Sequence, residues 1–255
     1  MSELLQMSEL LQQQHDNGVL ELVLNRPDKK NALTLAMYAG LTEALQSAAG
    51  NDQVRAVLLR GEGDSFTAGN DLADFVQCAQ RPESMQTILD FLHALVDFPK
   101  PLLAAVQGNA VGIGTTLLLH CDHVLVADNL QAQMPFVKLG LVPEGGSSLL
   151  LPGMLGQRLA FELLVQGGLI TAERACQLGI ANQQVAPERL YDQALAAAAA
   201  ILALPQQAVI QSKAILRASQ RAALHQVIDE EGQQFAQRLV SEEAQAILSG
   251  FLGKN

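Results

Sequence analysis

Glu144 is the residue whose surroundings most clearly mark it as a candidate for chemistry. It lies in the segment LGLVPEGGSS (139–148), after a proline and before two glycines and two serines. Proline and paired glycines end an extended segment, and serines cap a helix by accepting hydrogen bonds from its free N–H groups. We therefore predict that Glu144 occupies a turn directly before a helix capped by these serines. A glutamate at a helix start also suits the helix dipole, so this segment alone leaves a purely structural role open.

Two glycine-rich loops form the second candidate feature. The segments FTAGNDL (66–72) and GNAVGIGTT (108–116) each follow an apolar run and precede a predicted helix. Their glycines let the backbone turn tightly and approach a ligand, and neighbouring N–H groups that face one point bind an oxyanion. Ordinary strand-to-helix turns give the same pattern. Neither loop matches a Walker A motif, and GIG alone is a weak match to GxGxxG.

The elements that must position these loops alternate between strand and helix up to about residue 186. Apolar, partly alternating runs predict strands at 19–25, 54–61, 102–108 and 123–128. Helical spacing predicts helices at 34–47, 84–97, 157–168 and 171–179. This alternation predicts parallel βαβ-like units with right-handed crossovers. From about residue 187 only helices are predicted, at 194–203, 205–217, 221–240 and 242–252. This tail packs either on its own core or on neighbouring subunits.

Composition narrows the classes of partner. The 255 residues carry a formal net charge of −10, which argues against nucleic acid and anionic membrane, because both need a basic patch. The three cysteines show no CxxC spacing and the five histidines no HExxH spacing, so no metal site is predicted. No apolar run reaches membrane-spanning length and no signal peptide is recognised, so we expect a cytoplasmic protein. The tandem MSELLQ at 1–6 and 7–12 receives no functional interpretation.

These segments resemble the crotonase (enoyl-CoA hydratase/isomerase) superfamily over nearly the whole chain. The resemblance is carried, in order, by LNRPDKKNAL, FTAGNDL, AAVQGNAVGIGTTLLLHCDHVLVAD, LGLVPEGGSSLLLP and SGFLGK. It implies an α/β fold, a crotonase-type spiral of ββα units over 13–186, which binds an acyl-CoA thioester. A C-terminal helical oligomerisation region over 187–255 is implied to build a homotrimer or a dimer of trimers. Coenzyme A is part of the substrate, so no separate cofactor and no metal are expected.

The resemblance also assigns site residues. By residue match, the backbone N–H groups of Asn70 and Ile113 form an oxyanion hole. The residues implied to bind the substrate around them are Ala68, Gly69, Asn70, Asp71, Leu72, Gly112 and Phe136. Lys29 and Lys254 match lysines that contact coenzyme A, although each is equally compatible with a solvated surface lysine. From its residue type alone, Asp71 is expected to brace its own loop.

The positions that carry a carboxylate indicate which reaction of the family to expect, hydration or isomerisation. Hydratases of the family use two glutamates, and the matching positions here are Thr116 and Phe136, which cannot activate water or deliver a proton. Glu144 matches the base of the peroxisomal-type Δ3,Δ2-enoyl-CoA isomerases, in which one carboxylate moves a proton from C2 to C4. We expect an apolar pocket, including Phe136, to raise its pKa. The alternatives are a hydratase-type lyase or other crotonase-fold acyl-CoA enzyme, and a non-catalytic acyl-CoA-binding protein.

Overall fold

Two sheets of short strands form the centre of the molecule. The computed structural model describes residues 9–71, 73–75, 78 and 84–252. Its strands are β1 (Leu10–Gln14), β2 (Val19–Leu24), β3 (Ala56–Gly61), β4 (Leu102–Val106), β5 (Asn109–Val111), β6 (His123–Ala127), β7 (Gln131–Gln133), β8 (Ile170–Thr171) and β9 (Gln183–Val185). The first sheet has the order β1-β2-β3-β4-β6-β9 and the second the order β5-β7-β8.

The strand order shows the repeat expected of the fold. All neighbours in the first sheet are parallel except β1 and β2. The chain leaves β4 for β5 and later leaves β6 for β7, and β5 and β7 pair in parallel in the second sheet. Two successive strands therefore serve two different sheets before the next helical segment begins. The prediction of an α/β spiral of ββα units is confirmed.

The helices cover the sheets and lie close to their predicted positions. Their bounds are α1 (Leu35–Gly50), α2 (Met85–Asp97), α3 (Ile113–Thr116), α4 (Ser147–Leu155), α5 (Gln157–Phe161), α6 (Ala172–Gln177), α7 (Leu190–Leu202), α8 (Gln206–Ala218), α9 (Arg221–Leu239) and α10 (Glu242–Leu252). Thr34 caps α1 by accepting a hydrogen bond from Met37 N at 3.2 Å, as its residue type predicts. After α5 the helix continues as one π-helical turn over Glu162–Gln166.

Both faces of the large sheet are buried. One face belongs to the main core, to which α1, α2 and α9 contribute. The other face is covered by α7, whose Ala194 and Ala198 are fully buried against Leu58, Leu103 and Leu125 of the sheet. Small alanine side chains let the helix approach the sheet closely. This part of the helical tail therefore packs on its own core.

Strand β1 is absent from the sequence-based prediction. It begins at Leu10, inside the second MSELLQ copy and before the predicted start of the core at residue 13, and it pairs antiparallel with β2. The run LLQQQ has no apolar alternation, because this edge strand is mostly exposed on both faces, so periodicity gave no signal. Among the described residues no single helix meets the length and composition of a membrane span; only Pro187–Leu202 and Gln206–Ala218 pass together, across a 100° bend.

Candidate active site

Glu144 lies where the sequence places it, on a turn directly before α4. Gly145 and Gly146 follow it with φ angles of 71° and 73°, a region that favours glycine. Gly146 is the N-cap residue of α4. Its missing Cβ also matters for packing, since a Cβ there would lie 2.3 Å from Leu224 Cδ1. The glycine pair thus makes the turn and lets α9 pack tightly against it.

The cap of α4 differs from the prediction. Ser147 and Ser148 lie inside the first turn of the helix, after the N-cap position from which a side chain reaches the free N–H groups. Ser147 Oγ is buried without a hydrogen-bond partner among the described residues. The cap comes from α9 instead: Glu231 accepts hydrogen bonds from Gly146 N at 2.6 Å and Ser148 N at 2.9 Å. The expectation that the serines cap this helix is wrong.

The Glu144 side chain borders a narrow apolar cavity between α2 and α9. The residue is only 8% exposed. The cavity has a volume of about 20 Å³, roughly the space of one water molecule, so an acyl chain enters only when wall side chains move. The cavity is lined by Asn70, Phe75, Met85, Ile88, Leu89, Leu92, Glu144, Gly145, Ile228, Gly232 and Phe235.

Phe136 is not part of this lining. It is buried, but it lies beside the second glycine-rich loop, where a Cβ on Gly112 would be 3.9 Å from Phe136 Cε1. The cavity beside Glu144 is therefore formed without Phe136. Side chains of α2 and α9 enclose it, because these two helices cross over the turn that carries the glutamate.

Among the described residues, Thr116 is the side chain that forms a hydrogen bond with the carboxyl group of Glu144. Thr116 Oγ1 donates a hydrogen bond to Glu144 Oε1 at 2.6 Å, and Thr116 is fully buried. Burial raises the pKa of Glu144 to about 8; the Thr116 hydrogen bond opposes the rise and the charge of Glu231 adds to it. A carboxylate with this pKa is a much stronger base than a solvated one. The predicted rise in pKa is present, and its main cause is the apolar surroundings.

The two glycine-rich loops are held side by side by backbone hydrogen bonds. Thr67 N donates to Asn109 O at 2.9 Å, and Val111 N donates to Thr67 O at 3.1 Å. Gly69 and Gly114 allow this contact, because a Cβ on Gly69 would lie 2.8 Å from Val111 O and one on Gly114 would lie 2.5 Å from Thr67 Cγ2. The loops that carry the two predicted N–H donors are therefore in direct contact.

The N–H groups of Asn70 and Ile113 have no acceptor among the described residues. Asn70 borders the same cavity as Glu144. Ile113 is the first residue of α3, shortly after strand β5. The Asn70 side chain is fixed, since its Oδ1 accepts a hydrogen bond from the buried Tyr38 hydroxyl at 2.5 Å. Two free backbone donors on adjoining loops near a buried carboxylate form an arrangement that can bind a developing oxyanion.

The other predicted substrate-binding residues have different surroundings, and two of them lie outside the described residues. Ala68 N donates to Lys30 O at 2.8 Å, so the first loop lies against the loop that contains Lys29, an exposed residue. Asp71 accepts hydrogen bonds from Arg26 Nη1 at 2.9 Å and from Ala73 N at 3.0 Å. It therefore braces its own loop, as its residue type predicts. Leu72 and Lys254 lie outside the described residues.

His120 also holds the turn that follows Glu144. Its Nε2 lies 2.7 Å from Gly145 O and the ring is buried. Burial lowers the pKa of His120 to about 4, so the ring is neutral and Nε2–H is the donor to this carbonyl. Among the described residues no group of three His, Cys, Asp or Glu side chains is placed to hold a metal ion.

Sequence reasoning missed Glu231 and the role of Thr116. Glu231 shares the buried face of α9 with Leu224, Ile228, Phe235 and Leu239. This three-and-four spacing is visible in the sequence and is a signal that could have identified a buried carboxylate. For Thr116 the sequence shows only that this position lacks a carboxylate, because nothing in the local sequence indicates that it faces Glu144.

Comparisons with known proteins identify the family of the chain. The family model described as Enoyl-CoA hydratase/isomerase matches residues 14–255. Human enoyl-CoA delta isomerase 2 is 34% identical over 245 residues, which cover 94% of this chain and 62% of that protein. The 2,3-dehydroadipyl-CoA hydratase of Escherichia coli K12 is 32% identical and 97% of each chain is covered. The structure of Pseudomonas aeruginosa OdaA matches with a TM-score of 0.91 and 45% identity, over 96% of this chain and 99% of that chain.

The chain thus spans less than two thirds of the human isomerase, but nearly all of the two bacterial proteins. The family match extends over the glycine-rich loops, the Glu144 segment and the helical tail. This chain belongs to the enoyl-CoA hydratase/isomerase family, the crotonase superfamily.

Proposed function

We propose that this protein is an isomerase that moves the double bond of a 3-enoyl-CoA thioester to the 2-position. The observation that carries the proposal is one buried carboxylate, Glu144, with a pKa of about 8 in an apolar cavity that also contains Asn70. The relatives named isomerases and hydratases support acyl-CoA chemistry in general. The presence of one available carboxylate, where a hydratase uses two, favours the isomerase.

In the proposed mechanism the thioester oxygen accepts hydrogen bonds from Asn70 N and Ile113 N. The ionised Glu144 removes a proton from C2, and the electron pair of the C–H bond moves into a dienolate whose negative oxygen these donors stabilise. The protonated Glu144 then returns the proton to C4. The C3–C4 double bond becomes C2–C3, the thioester carbonyl reforms and the carboxylate is regenerated.

A second general acid or base is missing from the described part of the cavity. Hydration needs one group to activate water and another to deliver a proton. The family positions for these groups hold Thr116 and Phe136. Glu231 is a second buried carboxylate beside the Glu144 turn, but each of its oxygens already accepts a backbone N–H. One free base suits a proton shuttle better than hydration.

The remaining features of the proposal concern the binding of coenzyme A, the oligomer and the location of the protein. The substrate carries its own coenzyme A, so no further cofactor is proposed. Lys29 and Lys254 are proposed to contact the coenzyme A phosphates, and Ala68, Gly69 and Gly112 to approach the thioester. We also keep the proposals of a homotrimer or a dimer of trimers and of a cytoplasmic location.

The test is the turnover of trans-3-hexenoyl-CoA and crotonyl-CoA by the pure protein and by Glu144→Gln. We expect rapid formation of the 2-enoyl thioester, little hydration of crotonyl-CoA, and a loss of isomerisation of about 1,000-fold in the variant. Glu43→Gln, an exposed glutamate of α1, is the control and keeps full activity. Retention of most activity by Glu144→Gln would rule out Glu144 as the base.

Two other functions give different results in this assay. The similarity to the E. coli 2,3-dehydroadipyl-CoA hydratase favours a hydratase as the second candidate, and strong hydration of crotonyl-CoA would establish it. A non-catalytic acyl-CoA-binding protein would turn over neither thioester and would still bind an acyl-CoA, which isothermal titration calorimetry measures.

A further inference from the structure

We propose that Glu231 is a positioning residue for the reaction: a fixed carboxylate on α9 that holds the turn carrying Glu144 and places a second buried carboxyl group beside this turn. The inference rests on the proposed function of Glu144. It concerns a residue more than 80 positions away in sequence, since the Gly146–Glu231 bond joins residues separated by 85 positions.

The contacts of Glu231 show that it binds the turn and leaves the cavity to Glu144. The residue is 7% exposed. Its Oε2 accepts from Gly146 N at 2.6 Å and its Oε1 accepts from Ser148 N at 2.9 Å. Both N–H groups belong to the free N-terminal end of α4, where the helix dipole favours an anion. Glu231 therefore occupies the place that a capping side chain usually takes.

This geometry fits the ionised form of Glu231. Each carboxyl oxygen accepts a separate N–H donor, whereas a protonated carboxyl would turn one oxygen into a donor that faces an N–H group. Burial raises the pKa of Glu231 above its usual range, and its hydrogen bonds to Ser148 and Gly146 offset only part of this rise. The two N–H donors therefore favour the carboxylate form against the effect of burial.

A fixed negative charge next to the turn acts on the base itself. Burial is the largest cause of the raised pKa of Glu144, and the charge of Glu231 raises it further. The two buried carboxylates then differ in role, because Glu231 is stabilised as an anion by backbone donors and Glu144 is made basic by its apolar surroundings. Such a division between neighbouring carboxyl groups is a general way to separate their functions.

Besides the effect of the Glu231 charge, hydrogen bonds from two residues hold the turn in place. Glu231 on α9 binds it through Gly146 N, and His120 binds it through Gly145 O. Glu144 lies directly before these two anchored glycines. Loss of either anchor is expected to let the carboxylate leave its reactive position, because small displacements of a catalytic group lower the rate strongly.

The decisive experiment compares Glu231→Gln with Glu230→Gln. Glu230 is the exposed neighbour on the same helix, so the control removes one charge without touching the turn. We expect the acid limb of the pH profile of kcat/KM to move to lower pH in Glu231→Gln, by on the order of one pH unit, with a lower rate on the plateau. The pH profile of kcat/KM of Glu230→Gln is expected to match that of the wild-type protein.

A second readout does not depend on turnover. The side-chain carboxyl of Glu144 is followed by ¹³C NMR during a pH titration of protein with ¹³C-labelled glutamate, and its signal is assigned with Glu144→Gln. The midpoint is expected at lower pH in Glu231→Gln than in the other proteins. An unchanged midpoint overturns the inference. If the unchanged protein does not isomerise 3-enoyl thioesters, the proposed function fails, and this titration still decides whether Glu231 acts on Glu144.

Glu231→Asp keeps the test open if Glu231→Gln does not fold. It retains the charge but withdraws the oxygens from Gly146 N and Ser148 N by the length of one methylene. We expect an unchanged acid limb together with a kcat about 10-fold lower. A kcat equal to that of the unchanged protein would contradict the positioning role.

Discussion

At the scale of single residues, the chemistry depends on which form of Glu144 the surroundings favour. Burial disfavours the carboxylate and Thr116 favours it, since its hydroxyl donates to Glu144 Oε1. With a pKa of about 8, a minority of the unliganded protein is ionised at pH 7. Activity is therefore expected to rise with pH through about 8, because only the ionised form accepts the C2 proton.

Thr116→Val tests this balance. Valine has nearly the same shape but no hydroxyl, so the pKa of Glu144 rises further and the acid limb of kcat/KM moves to higher pH. We expect kcat/KM at pH 7 to fall about 10-fold, measured with trans-3-hexenoyl-CoA. Thr116→Ser, which retains the donor, is the control. An acid limb that does not move in Thr116→Val would show that this hydrogen bond has no influence on the base.

At the scale of elements, the site is built where two loops and two helices meet. The loops 66–72 and 108–116 are joined through Thr67 and the backbone of β5. The helices α2 and α9 wall the cavity. At their surface His93 Nδ1 and His225 Nδ1 lie 2.6 Å apart, a contact that requires one proton between the two nitrogens. The loops thus define the position of the oxyanion donors, and the helices define the surroundings of the base.

Gly69→Ala is expected to separate the two loops. A Cβ at Gly69 would lie 2.8 Å from Val111 O, and its φ of 90° is strained for alanine. We expect a loss of isomerisation of about 100-fold, since one oxyanion donor is displaced, and a decrease in the free energy of unfolding of about 1–3 kcal/mol. Gly50→Ala meets no atom within 4 Å and serves as the control in activity and thermal denaturation assays. Full activity of Gly69→Ala would mean that the loop contact is not needed.

At the scale of the whole molecule, the helical tail divides into parts with different surroundings. Helix α7 packs on the sheet and α9 walls the cavity, so residues after 187 contribute to the site as well as to the outside of the fold. In contrast, the residues Ile215 and Leu216 of α8 are 76% and 81% exposed to solvent. Exposed apolar side chains of this size are typical of a surface that associates with another protein.

Leu216→Asp tests the proposed oligomer. The unchanged protein is expected to sediment as a multiple of three chains of 27.2 kDa each, and a charge on this surface is expected to shift the population to single chains, because it would be buried without a partner. Gln211→Asp, an exposed position on the same helix, is the control. If the wild-type protein sediments as a monomer in analytical ultracentrifugation, the trimer proposal is contradicted.

The sequence alone determined the elements and the residues that local chemistry specifies. The glycine pair after Glu144 fixes the turn, Thr34 fixes the start of α1, and the apolar runs fix the parallel strands, because each depends on neighbours within a few positions. The order of the motifs also determined the family, since the two loops and the Glu144 segment resemble it in one arrangement.

Only the tertiary structure decided how Glu144 is surrounded. The cap from Glu231, the hydrogen bond from Thr116 and the walls from α2 and α9 all join residues far apart in the chain. Ser147 and Ser148, the caps expected from the local sequence, follow Glu144 closely in the chain, but the cap comes from Glu231. The pKa of Glu144 depends on burial and nearby charge, and both are set by packing between elements that the local sequence does not specify.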